Sequence, residues 1–410
     1  MRRTLKHSLL VLAMTGVTHG IANAAANAPL LEAARSAEPA VIESLKSMVM
    51  IESGSADAAG LTKMADFTEG RLKALGAATE RRRATTGPGS IVIGSLSGTG
   101  SKRLMLIAHM DTVYPTGTLA TQPYKVEGNR IYGPGIADDK GGIAVILHAL
   151  QILKDAGWRD YSKLTVVFNS DEETGSVGSG ELIATLGAEH DYVLSAEPST
   201  ATPEILLLGA SGTGTVTLKV QGRSSHAGAA PEQGRNALIE LSHQLVQTQD
   251  VAKTVPGTQL NWTMSQAGKV RNQIPEAAVA TGDMRLTVPD GFEKLEAALK
   301  EKVQNRLVPD TQTTVSIERG RPPFVATATA REVAKKAQDI YAELDRKLVL
   351  VDNTGGATDA GFAGRSGKAV VLESFGLGGA GYHARDEYIV TDSIVPRLYL
   401  MTRMLQEIAR

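Results

Sequence analysis

Apolar positions along the chain predict helices and strands in alternation. Apolar residues recur every three to four positions in residues 39–50 and 61–75, as amphipathic helices require. From residue 90 onward, short apolar or β-rich runs alternate with helical stretches, which is typical of a largely parallel sheet covered by helices. The predicted strands are 90–95, 103–108, 164–168 and 192–194, and the predicted helices are 140–156 and 181–186.

The middle of the chain has a different pattern, in the order β-α-β-β-α-β, which characterises ferredoxin-like α+β domains. Its elements are strand 215–220, helix 236–249, strands 259–264 and 277–286, helix 292–306 and strand 313–318. Helix 330–344, strands 347–351 and 369–372 and helix 394–408 follow. The sequence therefore predicts an α/β domain, formed by residues 25–210 and 323–410, that is interrupted by a smaller α+β domain at residues 211–322.

The first 24 residues have the composition of a secretory signal peptide. Arg2, Arg3 and Lys6 precede an apolar run at residues 9–17, and the segment ends in Ala22-Asn23-Ala24, a small-x-small cleavage pattern. The run is shorter than the ~20 residues of a membrane-spanning helix, so a permanent anchor is the weaker interpretation. We expect export to a bacterial periplasm, with release into the medium as the alternative.

The amino-acid composition excludes several classes of protein and one class of metal site. The chain has 43 Lys plus Arg and 44 Asp plus Glu, a net charge of −1, which argues against a dedicated nucleic-acid binder. At 42% hydrophobic residues it is in the globular range. It contains no cysteine, so disulfides and thiolate metal sites are excluded and any metal must be held by histidine and carboxylate ligands.

An acidic run at residues 171–173 directly follows the predicted strand 164–168. Three adjacent carboxylates would repel one another without a cation, which favours a metal at this strand end. Of the adjacent Glu172 and Glu173, one can bind a metal while the other acts as a general base.

Histidines and further carboxylates follow other predicted strands, and ligands of open α/β sheets bind beyond the carboxyl ends of strands. Each residue alone has a structural alternative, such as a solvated loop at 133–142 with Asp139 as the N-terminal charge of a helix. Asp111 could fix the tautomer of His109. Together the side chains could give each of two zinc ions a histidine, a carboxylate and a shared aspartate. The candidate ligands are His109, Asp138, Glu173, Glu197 and His383.

Six motifs together resemble those of the di-zinc aminoacylase and carboxypeptidase family, and within it the bacterial glutamate carboxypeptidases that cleave folates. They occur in unbroken order, and the resemblance runs from about residue 35 to the C-terminus. The motifs are His109-Met110-Asp111-Thr112-Val113, residues 133–142, Asp171-Glu172-Glu173, Ser195-Ala196-Glu197-Pro198, Ser225-His226-Ala227-Gly228 and Gly381-Tyr382-His383.

The resemblance implies a zinc-exopeptidase-like fold and assigns roles to the candidate ligands. Glu172 would be the general base, Asp111 would orient His109, and a cis peptide bond would join Asp138 to Asp139. One zinc would be held by His109, Asp138 and Glu197, and the other by Asp138, Glu173 and His383.

The same resemblance implies that residues 211–322 are a dimerisation lid. His226 would polarise the scissile carbonyl, either of the substrate in its own chain or, across the interface of a homodimer, of the substrate in the partner subunit. Asn272 and Arg285 would face the C-terminal carboxylate of the substrate. From the residues alone, His226 could equally be a loop imidazole without a function. Asn272 and Arg285 would by default be surface polar residues. Arg321 is a further candidate carboxylate clamp, and Gly356 lies in a loop expected at the carboxylate end of the substrate pocket.

We therefore expect a metal-dependent exopeptidase that releases a C-terminal residue, glutamate being the favoured one, from N-acyl conjugates such as folates. The expected cofactors are two Zn²⁺ per subunit, for which Co²⁺ or Mn²⁺ could substitute. The expected partners are a small molecule or short peptide with a free C-terminal carboxylate and a second copy of the chain, with no nucleic acid and no membrane. The alternatives are a dipeptidase or aminoacylase of the same family that prefers apolar substrates and, remotely, a periplasmic solute-binding protein.

Overall fold

The computed structural model describes residues 25–410, so the predicted signal peptide lies outside the described residues. The helices are α1 (Ala28–Val49), α2 (Ala58–Ala74), α3 (Lys140–Asp155), α4 (Gly180–Gly187), α5 (Ala237–Thr248), α6 (Gly291–Lys302), α7 (Ala328–Ala342), α8 (Ala360–Gly364) and α9 (Ile394–Ile408). Single 3-10 turns occur at Thr118–Ala120, Glu172–Thr174, Pro231–Gln233, Val251–Thr254 and Thr391–Ser393.

The strands are short outside two main sheets. They are β1 (Ala78–Arg83), β2 (Ser90–Ser97), β3 (Arg103–His109), β4 (Lys125–Glu127), β5 (Arg130–Tyr132), β6 (Lys163–Asn169), β7 (Tyr192–Ser195), β8 (Ser199–Thr200), β9 (Ile205–Leu207), β10 (Gly209–Ala210), β11 (Gly212–Gln221), β12 (Ser225–His226), β13 (Thr258–Ala267), β14 (Gln273–Ile274), β15 (Ala277–Leu286), β16 (Gln312–Arg319), β17 (Phe324–Val325), β18 (Val349–Val351), β19 (Val370–Leu372), β20 (Gly378–Ala380) and β21 (Tyr388–Val390).

A six-stranded sheet forms the centre of the larger domain within residues 25–410, in the order β1-β2-β6-β3-β7-β19. Strands β6, β3, β7 and β19 are parallel, and β1 and β2 join antiparallel at one edge. Residues 104–108 of β3 are all buried, so both faces of the sheet are covered. The predicted α/β fold with a mostly parallel sheet is therefore confirmed.

Two features of this domain differ from the prediction. Strand β1 was not predicted, because its sequence Ala-Thr-Glu-Arg-Arg-Arg is polar and largely exposed at the sheet edge. Helix α1 begins at Ala28 rather than at Pro39, which lies inside the helix. A proline normally marks a helix start, but the apolar stripe continues back to the buried Leu30 and Ala34, and the Asn27 side chain caps the Leu30 N–H at 3.3 Å.

The middle of the chain forms a separate antiparallel sheet in the order β13-β15-β11-β16. Helices α5 and α6 pack on one face of it, through a second apolar core that includes Val216, Leu241 and Leu295. The connections to the larger domain run side by side, because β10 pairs with β17. These elements are those of the predicted ferredoxin-like domain, and we retain residues 211–322 as its proposed bounds.

The parallel strands place the candidate site at one edge of the central sheet. Strands β3, β6 and β7 end at His109, Asn169 and Ser195, and the loops that follow them meet there. A second sheet, in the order β4-β5-β21-β20-β8, carries the loops with Asp138 and His383. Across residues 25–410 no helix is long and apolar enough to span a membrane.

Candidate metal centre

Three of the predicted ligands come together at the end of β3. His109 is buried, and its Nε2 lies 2.9 Å from Asp138 Oδ1 and 3.8 Å from Glu197 Oε1. One nitrogen or oxygen atom from each of these residues lies within 4.8 Å of the others. The three side chains can thus share one cation.

A second group shares Asp138 with the first. The Nε2 of His383 lies 3.1 Å from Glu173 Oε2 and 3.4 Å from Asp138 Oδ2. The Asp138 carboxylate therefore presents one oxygen to each histidine, which is the position of a bridging ligand. The Asp138–Asp139 peptide bond is cis, as the resemblance implies.

The charges and donors of these groups fit a bound divalent cation. The buried Oε1 of Glu173 has no hydrogen-bond partner among residues 25–410. Burial, together with the neighbouring Glu172 carboxylate, raises the pKa of Glu197 well above its usual value. Hydrogen bonds to Asp138 and Glu173 raise the pKa of His383 to about 10. A crowded set of carboxylates and imidazoles of this kind suits Zn²⁺ or a related transition metal, which would satisfy all of them at once.

Asp111 links both groups to the acidic turn after β6. Its Oδ1 accepts a hydrogen bond from the Glu172 N–H, and its Oδ2 accepts one from the Glu173 N–H, both at 3.1 Å. The Nδ1 of His109 lies 3.0 Å from the Asp111 carbonyl oxygen and 3.4 Å from Oδ1. Asp111 can therefore orient the imidazole and hold the Glu172–Glu173 backbone at the same time.

Asp171 does not join the site, which corrects the interpretation that three adjacent acids share a cation. Its Oδ2 accepts hydrogen bonds from the Gly178 and Ser179 N–H groups at 2.6 and 3.1 Å. The carboxylate is stabilised by backbone donors, so only Glu172 and Glu173 face the metal-competent groups.

Glu172 lies beside the predicted ligands and pairs with Arg321. Its Oε1 is 2.8 Å from Arg321 Nη2, and both side chains are at most 10% exposed. Burial raises the pKa of Glu172 to about 8, although the Arg321 guanidinium opposes this. Burial thus strengthens Glu172 as a proton acceptor next to the metal-competent groups.

Arg321 also reaches the loop that contains Gly356. Its Nη1 donates to the Ala357 carbonyl oxygen at 3.0 Å, while its buried Nε has no acceptor among the described residues. The Gly356 carbonyl oxygen accepts a hydrogen bond from the Ser211 N–H at 2.7 Å. Arg321 therefore lies between Glu172 and the loop that contains Gly356, and the substrate-binding roles of Arg321 and Gly356 stay predictions.

His226, Asn272 and Arg285 do not converge on the metal-competent groups of their own chain. His226 is exposed, and its Nδ1 accepts from the Gly228 and Ala229 N–H groups. Asn272 lies beside it, because its carbonyl oxygen accepts from the Ala227 N–H at 2.9 Å.

Arg285 lies at the other end of β15 and pairs with Asp283 at 2.9 Å. Arg285 lies eight positions along the extended strand from Ala277, where β15 begins. At about 3.3 Å per residue the separation is ~26 Å. Asn272 precedes β15 and Arg285 lies near its far end, and the contact of both residues with one substrate carboxylate stays a prediction.

Two buried carboxylates that were not predicted to act on the site support its loops. Asp139 accepts from the Gly142 N–H at 3.1 Å, capping α3, and from the His109 N–H at 3.3 Å. The cap matches the structural alternative for this segment. Glu387 accepts hydrogen bonds from the backbone on both sides of Ile136. The feature of the sequence that could have indicated its role is its position four residues after His383.

Comparisons with known proteins agree with this geometry. Peptidase family M20/M25/M40 matches residues 105–407. The chain is 43% identical to carboxypeptidase G2 of Pseudomonas sp. (strain RS-16), over 92% of each chain. It is 29% identical to a succinyl-diaminopimelate desuccinylase of Stenotrophomonas maltophilia, over 75% of this chain and 85% of the relative.

Solved structures share the fold at low sequence identity. An aminopeptidase PepT from Bacillus cereus superposes with a TM-score of 0.74 at 19% identity, over 91% of this chain and 99% of the other. A metallo-carboxypeptidase of the M20 family from Sulfolobus solfataricus superposes with a TM-score of 0.71 at 17% identity, over 89% and 98%. Because the family match spans most of the chain and a 43% identical relative covers nine-tenths of it, the protein belongs to peptidase family M20/M25/M40 and is a metallopeptidase.

Proposed function

We propose that the protein is a two-metal exopeptidase that releases C-terminal glutamate from N-acyl-glutamates, folates among them. The observation that supports this most is the arrangement of two metal-competent groups that share Asp138, with Glu172 and Arg321 directly beside them. The 43% identity to carboxypeptidase G2 favours glutamate as the residue released. Because the chain is also 29% identical to a desuccinylase, hydrolysis of other N-acyl substrates is the alternative.

In this proposal His109, Asp138 and Glu197 hold one zinc ion, and Asp138, Glu173 and His383 hold the other. The ions supply Lewis-acid polarisation of the scissile carbonyl and make water a stronger acid. Co²⁺ and Mn²⁺ accept the same nitrogen and oxygen ligands, so either could replace zinc.

Glu172 acts as the proton carrier. It accepts a proton from the attacking water and passes it to the leaving amine, which becomes the amino group of free glutamate. Asp111 fixes the backbone of the turn that carries Glu172. Arg321 lies within 2.8 Å of the carboxylate and stabilises its negative charge before it accepts the proton and again after it has released it.

Arg321 is also our candidate for binding the substrate's free carboxylate. A guanidinium can bind a carboxylate through two parallel N–H donors, and the buried Nε of Arg321 has no acceptor among residues 25–410. The neighbouring loop with Gly356 forms the wall of this pocket. A buried cation at this place explains why the substrate would need a free C-terminus.

We further propose a homodimer through the lid. Helix α5 exposes Leu238 and Val246, eight positions apart and hence on one face, and Val246 is 67% exposed. Met264 on the edge strand β13 is 71% exposed. A second copy would cover this apolar surface. His226 and Asn272 would then act on the substrate of the partner subunit.

The proposal is tested with zinc-loaded protein that lacks residues 1–24, which we propose direct export to the periplasm. The ratio of kcat/KM for an N-acyl-glutamate to that for the matching N-acyl-leucine should be large, and a chelator should abolish both rates. A ratio near or below one in active protein would reject glutamate and favour the apolar aminoacylase or dipeptidase.

A further inference from the structure

Glu387 makes an unusual set of hydrogen bonds to the loop that carries Asp138. It is 1% exposed and lies just before β21. Its Oε2 accepts from the Gly135 N–H at 2.9 Å, and its Oε1 accepts from the Ala137 and Asp138 N–H groups at 2.8 and 2.9 Å. One carboxylate thus satisfies three buried backbone donors of a loop that has no regular secondary structure.

The same loop is held from its other side. The Nζ of Lys140, 1% exposed, donates to the carbonyl oxygens of Pro134 and Ile51, both at 3.1 Å. The Gly133 N–H donates to the Glu387 carbonyl oxygen at 3.2 Å. The loop is therefore fixed between a buried anion and a buried cation, each of which bonds its backbone.

Glu387 also belongs to the loop that carries His383. The Tyr114 hydroxyl donates to the Ala384 carbonyl oxygen at 2.8 Å, which ties that loop to the segment after Asp111. Asp138 and His383 lie on segments that are far apart in the sequence. The Glu387 side chain, on the segment of His383, connects the two segments because it hydrogen-bonds the backbone of the Asp138 loop.

The geometry of the proposed metal centre depends more on the position of Asp138 than on that of any other ligand. Its two carboxylate oxygens lie 2.9 Å from His109 Nε2 and 3.4 Å from His383 Nε2. A shift of its backbone would therefore disturb both metal-competent groups at once, whereas a shift of Glu173 or Glu197 would disturb one.

We propose that Glu387 is a positioning residue that fixes Asp138 as the ligand shared by two metal ions. This inference depends on the proposed two-metal function. A carboxylate is required because it offers only acceptors. A glutamine has the same shape, but its NH₂ group would face at least one backbone N–H donor, which leaves a buried donor without an acceptor.

The test is the affinity of Glu387→Gln for metal, measured without substrate. Zinc dissociation constants come from competition with a chelator, and the visible spectrum of the Co²⁺-loaded protein reports the ligand geometry. We expect ~10–100-fold weaker binding, the usual effect of losing a group that orients a ligand, and an altered spectrum. Asp386→Asn removes the same charge from an exposed neighbour and should bind metal like the wild type.

An affinity of Glu387→Gln within twofold of the wild type, with an unchanged spectrum, would overturn the proposal. If this variant is not recovered folded, Glu387→Asp is measured instead. It keeps the charge but is one methylene shorter, so the three bonds cannot all form, and wild-type affinity would again overturn the proposal. Wild-type protein that binds two metals without releasing glutamate would refute the proposed substrate and leave the role of Glu387 standing.

Discussion

Replacing Glu172 by glutamine separates proton transfer from metal binding. Glu172 belongs to neither metal-competent group, and glutamine keeps its size and one carbonyl oxygen. The amide cannot accept the proton from water. General-base catalysis contributes about 10²–10⁴-fold, so we expect kcat to fall by at least that factor, equivalent to a barrier about 3 to 5 kcal/mol higher.

The stability of this variant has to be measured beside its activity. Glu172 and Arg321 form a nearly buried ion pair at 2.8 Å. Removing one partner of a buried pair typically costs ~3–5 kcal/mol. Because the glutamine oxygen keeps a partial negative charge beside Arg321, we expect the lower end of that range. Rates are therefore compared below the onset of thermal unfolding of the variant.

The assay measures initial rates of glutamate release at saturating substrate, with the metal content of the same samples determined by elemental analysis. Glu173→Gln is the matched control, since the same change one residue further on should remove a ligand and release metal. A metal-loaded Glu172→Gln protein with kcat within tenfold of the wild type would refute the assignment of the base. Loss of metal from it would instead make Glu172 a ligand.

Three further substitutions test other parts of the account. His226→Ala should collapse kcat with metal content unchanged, and mixing it with Glu172→Gln subunits should restore part of the activity if His226 acts across the dimer; no restoration would place it in its own site. Arg321→Met should raise KM for N-acyl-glutamates at least tenfold. An unchanged KM would show that Arg321 does not bind the substrate's free carboxylate. Val246→Asp should produce monomers in sedimentation, and an intact dimer would exclude this face of α5.

The sequence predicted the site best where ligands directly follow buried strands. The apolar runs at 103–108, 164–168 and 192–194 became β3, β6 and β7, and these parallel strands bring the segments after them together. The ferredoxin-like insertion could be predicted for a similar reason, because its strands alternate buried and exposed positions. The pattern of apolar residues shows which residues of an element are buried, and the buried residues determine how the elements pack.

Long-range side-chain contacts could not be predicted in this way. Nothing local shows that Asp171 bonds the Gly178 and Ser179 backbone rather than a cation, or that Glu387 bonds the loop of Asp138 about 250 residues earlier. The distance of Arg285 from the start of β15 at Ala277 follows from the length of this strand as folded. The polar edge strand β1 has no apolar alternation, so pattern reasoning misses it.

The arrangement that we propose, in which two metal ions share Asp138, can be tested by metal stoichiometry. Zinc bound per chain is measured at equilibrium against a chelator of fixed strength, for the wild type, Asp138→Asn, Glu173→Gln and Glu197→Gln. We expect two tightly bound ions in the wild type, one in each of the two glutamine variants and none in Asp138→Asn. One ion in the wild type, or one retained in Asp138→Asn, would contradict this arrangement.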